Sequence, residues 1–586
     1  MSEHWEFPFR EIWTVDLEYV AQEGEHPDPV CLAAWELRTG RKIRRWRDEM
    51  GGSPPYDISK ESLFVSFSSD AEMGCHLALG WSLPARVLDL RVEFLQEINS
   101  TPRPPPDKNK ETKRGSLLHA LTYYGLDGIG AVEKEQWRKL ISTGGPWTNA
   151  QREGILNYCE SDVRATCSLF AAMIRRGHVL NGQLNFSLHR GRYMRAVARM
   201  IFVGVPIDLE RFNRLANHWD TIEMRLIESL GKQYGVYDEE GAFSEKRFAR
   251  YLNERGWAWP MHGSGRLDLR EKTFRAMAQI YPELEPLRQL KYCREKFKLR
   301  KLSVGRDGRN RCWLAPYASR TSRNQPSNAG FIFGPAVWFR DFLIQPKPDW
   351  GIAYLDWVAQ EFGIAAGLSG DPAMKEAYES DDIYLTFGKQ TGLVPPWATI
   401  QTHGLQRDQF KVCVLATQYG QKYRSLSEQL NQPDIVGREL LGLHHKVYCV
   451  FWDWLNNRVN RSLLSNEQQT VFGWRHRFKE FPKINSIRNF PMQSNGAEML
   501  RLACCLGTEA GISICAPIHD AILIQSPLGK LDEDVAHMRD LMGEASQVVL
   551  GGFRLRTDQH VFRYPERYSD PKGRGRVMLE TVMKLL

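Results

Sequence analysis

Apolar and polar positions change period several times along the chain, and each change marks an element. Near the N-terminus, EIWTVDLEYV has a strand-like pattern. LFVSFSSDAEMGCHLALGW reads as a strand followed by a helix, and ILNYCESDVRATCSLF is helical. From about Arg190, RYMRAVARMIFVGVPIDLERFNRLANHWDTIEMRLIESL carries long i, i+3, i+4 apolar spacing broken at GVPID. In GIAYLDWVAQEFGIAAGLSGD, Gly351 to Asp371, a short apolar run ends in Asp356 and a helical pattern follows with Glu361 near its start. GISICAPIHDAILIQSP sets His519 and Asp520 between two β-rich runs, which predicts a hairpin with the aspartate exposed at its tip. The aromatics of HHKVYCVFWDWLNNRV read as core of a helix-rich region. Thr101 to Arg114, TPRPPPDKNKETKR, cannot pack as a core and predicts an exposed loop.

A chain of 586 residues is too long for one core and should divide into several domains. No apolar run approaches the roughly 20 residues of a membrane span, and MSEHWEFPFREIW lacks a signal-peptide pattern. The expectation is a cytoplasmic protein without membrane contact. Eleven cysteines, an odd number without C-x-x-C or Cys/His spacing, indicate neither a disulfide framework nor a zinc module. The net charge of +8 is modest, but Cys293 to Arg311, CREKFKLRKLSVGRDGRNR, concentrates Lys and Arg in a way that suits a phosphate backbone.

The candidate chemistry lies in carboxylates at strand ends. If the His519-Asp520 hairpin lies beside the Asp356 strand, two carboxylates meet at one sheet. That is the minimum frame for two divalent metals about 3.5–4 Å apart, clamping the attacking and leaving oxygens of a phosphoryl transfer. Each stretch alone would read as an ordinary turn. Between them, RDQFKVCVLATQYG places Arg407, Lys411, Leu415 and Tyr419 at i, i+4, i+8 and i+12 along one drifting helix face. Two cations followed by an apolar residue and an aromatic suit a nucleotide's phosphates and then its base or sugar. Gly420 follows as a helix end or kink. Upstream, Asp16 and Glu18 are two apart on one side of a strand. Such repulsion is tolerable if they share a cation. Tyr158 and Asp162 are one helical turn apart.

These stretches resemble the family A, DNA polymerase I-like, enzymes. DWVAQEFGIAAGLSGD is similar to motif A, RDQFKVCVLATQYG to motif B on the fingers O helix, and IHDA to motif C. SRTSRNQPSN (Ser319 to Asn328) is similar to the segment beside template and primer, and RNFPMQSNGAE (Arg488 to Glu498) to the Asn-x-Pro-x-Gln signature. The resemblance implies Asp356 and Asp520 as metal ligands, with a backbone carbonyl near Trp357. It implies Arg407 and Lys411 on the triphosphate, with Lys411 in a catalytic role on the leaving pyrophosphate. It also implies Leu415, Tyr419 and Gly420 at the nascent pair, with Gln360 and His519 lining the nucleotide site. Glu361 would crowd a ribose 2′-OH, Arg323 would lie near the primer terminus, and Asn489 and Gln493 would donate to minor-groove acceptors. The sequence departs from the family at Ala521, where a second acid often follows His-Asp.

The N-terminal pattern resembles the DEDDy 3′–5′ exonucleases, with Asp16, Glu18 and Asp162 binding two metals and Tyr158 orienting the attacking water. The second motif falls on Asp70 or Glu72, and Glu72 fits the family register better. Ser69-x-x-Glu72 also reads as a capping box, in which Glu72 would only serve its own helix.

The fold implied is a multidomain α/β and α+β chain: an RNase H-like exonuclease over 1–180, a thumb over 190–304, palm over 305–374, fingers over 375–475 and returning palm over 476–586. The C-terminal KGRGRVMLETVMKLL would complete the palm. Two Mg²⁺ per site, with Mn²⁺ as a substitute, primer-template DNA and dNTPs are implied. A monomer is expected, with phage replisome proteins as further partners. The short stretch before Asp16 leaves no room for a 5′ nuclease, which suits the shorter phage- or plasmid-type members. The rival readings are a single-subunit RNA polymerase, an exonuclease carrying a DNA-binding module that no longer catalyses, and a structural DNA-binding protein. The exonuclease pattern with Glu361, the intact Asp356, Lys411 and Asp520, and the carboxylates respectively argue against them.

Overall fold

Two β-sheets carry the carboxylates singled out above, and helices separate them. The computed structural model describes residues 7–99, 114–127, 130–177, 184–296, 301–334, 337–478 and 482–586. Most of the expected loop at Thr101 to Arg114, residues 101–113, lies outside the described residues, as do residues 297–300 of the basic run.

The first sheet comprises β1 (Glu11–Val20), β2 (Asp28–Glu36), β3 (Lys42–Trp46), β4 (Ser62–Ser66) and β5 (Val87–Asp89) in the order β3-β2-β1-β4-β5. Pairs β1–β2 and β2–β3 are antiparallel, whereas β1–β4 and β4–β5 are parallel. Ile12, Trp13, Val15 and Leu17 of β1 are all buried, as expected of a central strand covered on both faces. Helix α1 (Ser69–Ala78) follows β4 directly, and α2 (Ala131–Ser142) precedes α3 (Asn149–Arg175). Thr148 and Gln151 form a capping box that starts α3, and α3 packs along β1 and β2.

Helix α4 (Leu184–Val203), whose stretch from Arg190 the family resemblance implies to be the base of a thumb, is seated between the two sheets. It packs on α1 and β5 at one side and on the C-terminal sheet at the other. Gly191 permits this approach: a Cβ there would lie 1.9 Å from the Val87 carbonyl oxygen.

The second sheet comprises β6 (Trp350–Trp357), β7 (Ser513–Ile518), β8 (Ala521–Pro527) and β9 (Thr557–Arg563), in the order β7-β8-β6-β9 with every pair antiparallel. Around it lie α5 (Gln360–Ser369), α6 (Ile400–Gln418), α7 (Ile484–Glu509) and α8 (Leu531–Val549). Tyr448, Phe451, Trp452 and Leu455 are buried, so the Trp-rich stretch is core, as its pattern predicts. The terminal helix Arg576–Leu585 packs on Trp338–Leu343 and on Leu209–Tyr234, and so braces the helices before the sheet.

A buried charge cluster fixes the Ser319 to Asn328 segment against α7. Arg501 pairs with Glu498 at 2.8 Å, both side chains almost wholly buried, and donates to the Ser322 carbonyl and hydroxyl. Glu498 also accepts from Thr470. Removing one partner leaves a charge buried and uncompensated. Arg501→Met should therefore cost about 3–5 kcal/mol, read as a lowered urea midpoint with an unchanged slope.

Candidate active site

The hairpin between β7 and β8 turns on only two residues, His519 and Asp520, and His519 takes a φ of 53°. Positive φ at the first central position of such a turn matches the twist of the flanking strands. Ala521 then pairs with Asp356 across β8 and β6, and the Trp357 N–H donates to the Asp520 carbonyl at 3.3 Å. The two aspartates, remote in sequence, thus meet at one end of one sheet. Burial first, and then the neighbouring Asp520, push the Asp356 carboxyl up to about 6. Its Oδ1 is buried without a hydrogen-bond partner. An orphaned carboxylate oxygen beside a second carboxylate fits a divalent cation. Trp357 itself is buried, its indole N–H donating to the Met542 carbonyl.

Glu361 and Gln360 open α5 immediately after the strand. Gln360 is buried against Gly496 of α7, where an added Cβ would meet its Oε1 at 2.8 Å. Burial raises the Glu361 carboxyl, and Arg323 offsets part of that rise. Arg323 pairs with Glu361 at 3.3 Å. These two residues, expected separately at the primer terminus and the sugar, hold one another here.

Helix α6 buries Phe410, Cys413, Val414 and Thr417. Arg407, Leu415 and Tyr419 are left half-buried and Lys411 exposed on its other face. His403 breaks the helical dihedrals near the start. The helix ends at Tyr419, and Gly420 follows with φ 78° against Asn485. Gln418 donates to the Glu361 carbonyl at 2.9 Å, tying α6 to the start of α5. Arg407 donates to Asp382 at 2.8 Å, and both Arg407 and Lys411 stand over the Tyr384 ring at 5.2 and 5.8 Å. Asn489 and Gln493 lie one turn apart in α7 as expected, and Asn489 Oδ1 is buried without a partner.

In the N-terminal sheet, Asp16, Glu18 and Asp162 each offer a ligand atom, all within 4.8 Å of one another. Burial, then Asp162, pushes the Asp16 carboxyl up to about 7, and burial followed by Asp16 raises Glu18. Lys134 of α2 donates to both Asp162 oxygens at 2.8 and 2.6 Å. Tyr158 is buried, stacked on Trp137, and its hydroxyl is held protonated by burial and by Asp162.

The capping box that is the alternative reading of Ser69-x-x-Glu72 does not form. Ser68 is the N-cap in the left-handed region, and Ser69 donates through its hydroxyl and its N–H to Asp89. Glu72 is thereby released from that role. It is buried, its Oε2 has no partner, and Asp16 ranks after burial in raising its carboxyl. Asp70 instead accepts from Trp313 at 2.9 Å.

Several participants carry no sequence signal. Asp382 and Tyr384 lie well before α6, Lys134 lies on α2 well before Asp162, and Asp558 on β9 pairs in register with Asp356. Within the described part of the basic run, Arg306 pairs with Glu25 and Arg309 with Gln525, while Arg311 pairs with Asp307. Arg309 and Arg311 serve as internal struts, whereas Arg306 makes its pair at the surface.

Residues 335–560 match the family model described as DNA polymerase family A. The thermostable DNA polymerase I of Thermus thermophilus is 23% identical over 210 residues, 33% of this chain and 25% of that protein. The DNA polymerase of Mycobacterium phage L5 is 24% identical over 373 residues, 60% of this chain and 58% of that protein. The chain thus spans from a quarter to somewhat over half the length of these relatives. The polymerase domain of Pol1 from M. smegmatis, solved in complex with DNA primer-template and dNTP, shares the fold. Its TM-score is 0.68 at 16% identity, over 94% of this chain and 95% of that one. Residues 335–560 thus carry a domain of the DNA polymerase family A type.

Proposed function

We propose that this chain extends a primer 3′-OH on a DNA template with dNTPs, and that its N-terminal unit is an RNase H-like 3′–5′ exonuclease that removes mispaired ends. The observation that carries the first half is the register of β6 and β8, which sets Asp520 beside Asp356 and its orphaned oxygen. Two divalent cations, Mg²⁺ with Mn²⁺ as substitute, would be held by Asp356, Asp520 and a backbone carbonyl near Trp357. When bound they supply charge neutralisation and a lowered pKa for the primer hydroxyl. Lys411 and Arg407 present cationic heads from α6 to the triphosphate and its leaving pyrophosphate. Arg407 is released from Asp382 as the helix closes over a fitting pair. Tyr419 and Leu415 continue the same face towards the base, with Gly420 giving the backbone room. Asn489 and Gln493 test pair geometry from the minor groove.

Glu361 excludes a ribose 2′-OH by bulk and charge at the start of α5. Glu361→Ala should reduce deoxyribonucleotide discrimination roughly 10- to 100-fold, measured as the ratio of kcat/KM for dNTP and NTP. A variant with unchanged discrimination would assign the selection to another group.

The exonuclease half rests on the convergence of Asp16, Glu18 and Asp162, with Glu72 buried beside Asp16. The Tyr158 hydroxyl, kept protonated, donates to and orients the attacking water. Lys134 must leave Asp162 for a cation to bind there. The likeness to a phage polymerase supports a role in phage or plasmid DNA replication. The test is a primer-extension assay on matched and mismatched 3′ ends, with and without dNTPs. Extension of the matched end, and shortening of both ends when dNTPs are withheld, is expected. No extension under any condition contradicts the proposal.

A further inference from the structure

Ala521, Asp356 and Asp558 form one row across three strands. Ala521 faces Asp356 from β8, and Asp558 faces it from β9 on the opposite side. Directly opposite residues in antiparallel strands project from the same face, with Cβ atoms about 4.5–5.5 Å apart. The row therefore carries a methyl on one flank of Asp356 and a carboxylate on the other.

The surroundings leave the Asp558 carboxylate available. It is exposed on the edge strand of the sheet. The residue lines a cavity of about 700 Å³ with Arg539, Arg554 and Arg556, and each of those arginines is committed elsewhere. Arg539 donates to Thr557 and Gln559, Arg554 to Asp540 and Gln547, and Arg556 to the Ser380 and Tyr378 carbonyls. Among the described residues no hydrogen bond or ion pair engages the Asp558 carboxylate. Its charge nonetheless reaches Asp356, where it is the next cause of the raised carboxyl after burial and Asp520.

We propose that Asp558 supplies the second acidic flank of the polymerase metal centre, on the side of Asp356 away from Ala521, and acts on the cations through their water ligands. The inference rests on the reading of Asp356 and Asp520 as metal ligands. Asp558 is a positioning residue, because among the described residues only Asp16, Glu18 and Asp162 gather three ligand atoms within 4.8 Å. Direct coordination shared with both aspartates is thereby excluded for the side chains as they stand. A hard cation that keeps several waters is well served by an outer carboxylate that accepts from those waters. The missing acid of the hairpin and this extra acid of the edge strand are then one exchange of charge across Asp356.

The test is Mn²⁺ titration followed by electron paramagnetic resonance of the free ion, in full-length protein carrying Asp16→Ala to weaken the N-terminal site. Asp558→Asn should weaken Mn²⁺ binding roughly tenfold, and Ala521→Glu in the Asp558→Asn protein should recover most of the loss. Primer-template affinity in the absence of metal reports that the fold is kept. If Asp520→Ala abolishes Mn²⁺ binding but Asp558→Asn leaves it unchanged, this inference is overturned and the ligand reading stands. If neither substitution changes binding, both are overturned. Weakened binding that Ala521→Glu does not restore contradicts the exchange of flanks.

Discussion

Asp520→Ala should lower primer extension by on the order of 10³-fold or more while leaving primer-template binding within about threefold. The two effects separate because they rest on different groups. DNA affinity comes from many contacts to the phosphate backbone. The chemical step depends on cations whose charge stabilisation amounts to several kcal/mol, and each kcal/mol enters the rate exponentially. Asp520 occupies the second position of a two-residue turn, so truncating it removes a carboxylate without disturbing the paired residues of β7 and β8. The remaining Asp356 is half-buried, with one oxygen unpartnered. Single-turnover incorporation beside an equilibrium binding measurement on the same DNA distinguishes the two. A loss of binding equal to the loss of rate would place Asp520 in the DNA surface instead.

Asp16→Ala should reduce 3′ degradation by a comparable factor and spare synthesis. Asp16 is the carboxylate on which the N-terminal site converges: it shares a cluster with Glu18 and Asp162, and it raises Glu72. Its strand β1 is central in a sheet separate from β6 and β8, so no shared ladder carries the change to the other site. Degradation of a mismatched primer without dNTPs, and extension of a matched primer with them, give the two readouts. Equal degradation by the parent and variant proteins would refute the N-terminal assignment.

Much of this arrangement is legible in the sequence because alternating and 3.6-residue patterns place side chains before any contact is known. The apolar runs around Asp356 and His519-Asp520 predict strands that end in carboxylates, and β6 and the β7–β8 hairpin carry them there. The face of Arg407, Lys411, Leu415 and Tyr419 follows from helical spacing alone. What stays illegible is pairing between distant segments. Nothing in TDQHVFR announces that Asp558 faces Asp356, since register is set by the assembled sheet. The Asp382 carboxylate caps the start of the Ile383–Gln390 helix through two backbone N–H groups, a local role that hides its pairing with Arg407. Glu72 shows the converse. Its spacing from Ser69 is that of a capping box, and only the left-handed Ser68 and the Asp89 contact show that the helix begins at Ser69 itself.

In the proposed mechanism Asp356 and Asp520 jointly hold the cations of nucleotidyl transfer. Anomalous scattering from Mn²⁺ in crystals of the protein with a dideoxy-terminated primer-template and the next dNTP tests it most directly. Metal density engaging both carboxylates, beneath a triphosphate contacted by Arg407 and Lys411, is expected. Density that engages neither aspartate, or a triphosphate bound away from α6, would contradict it.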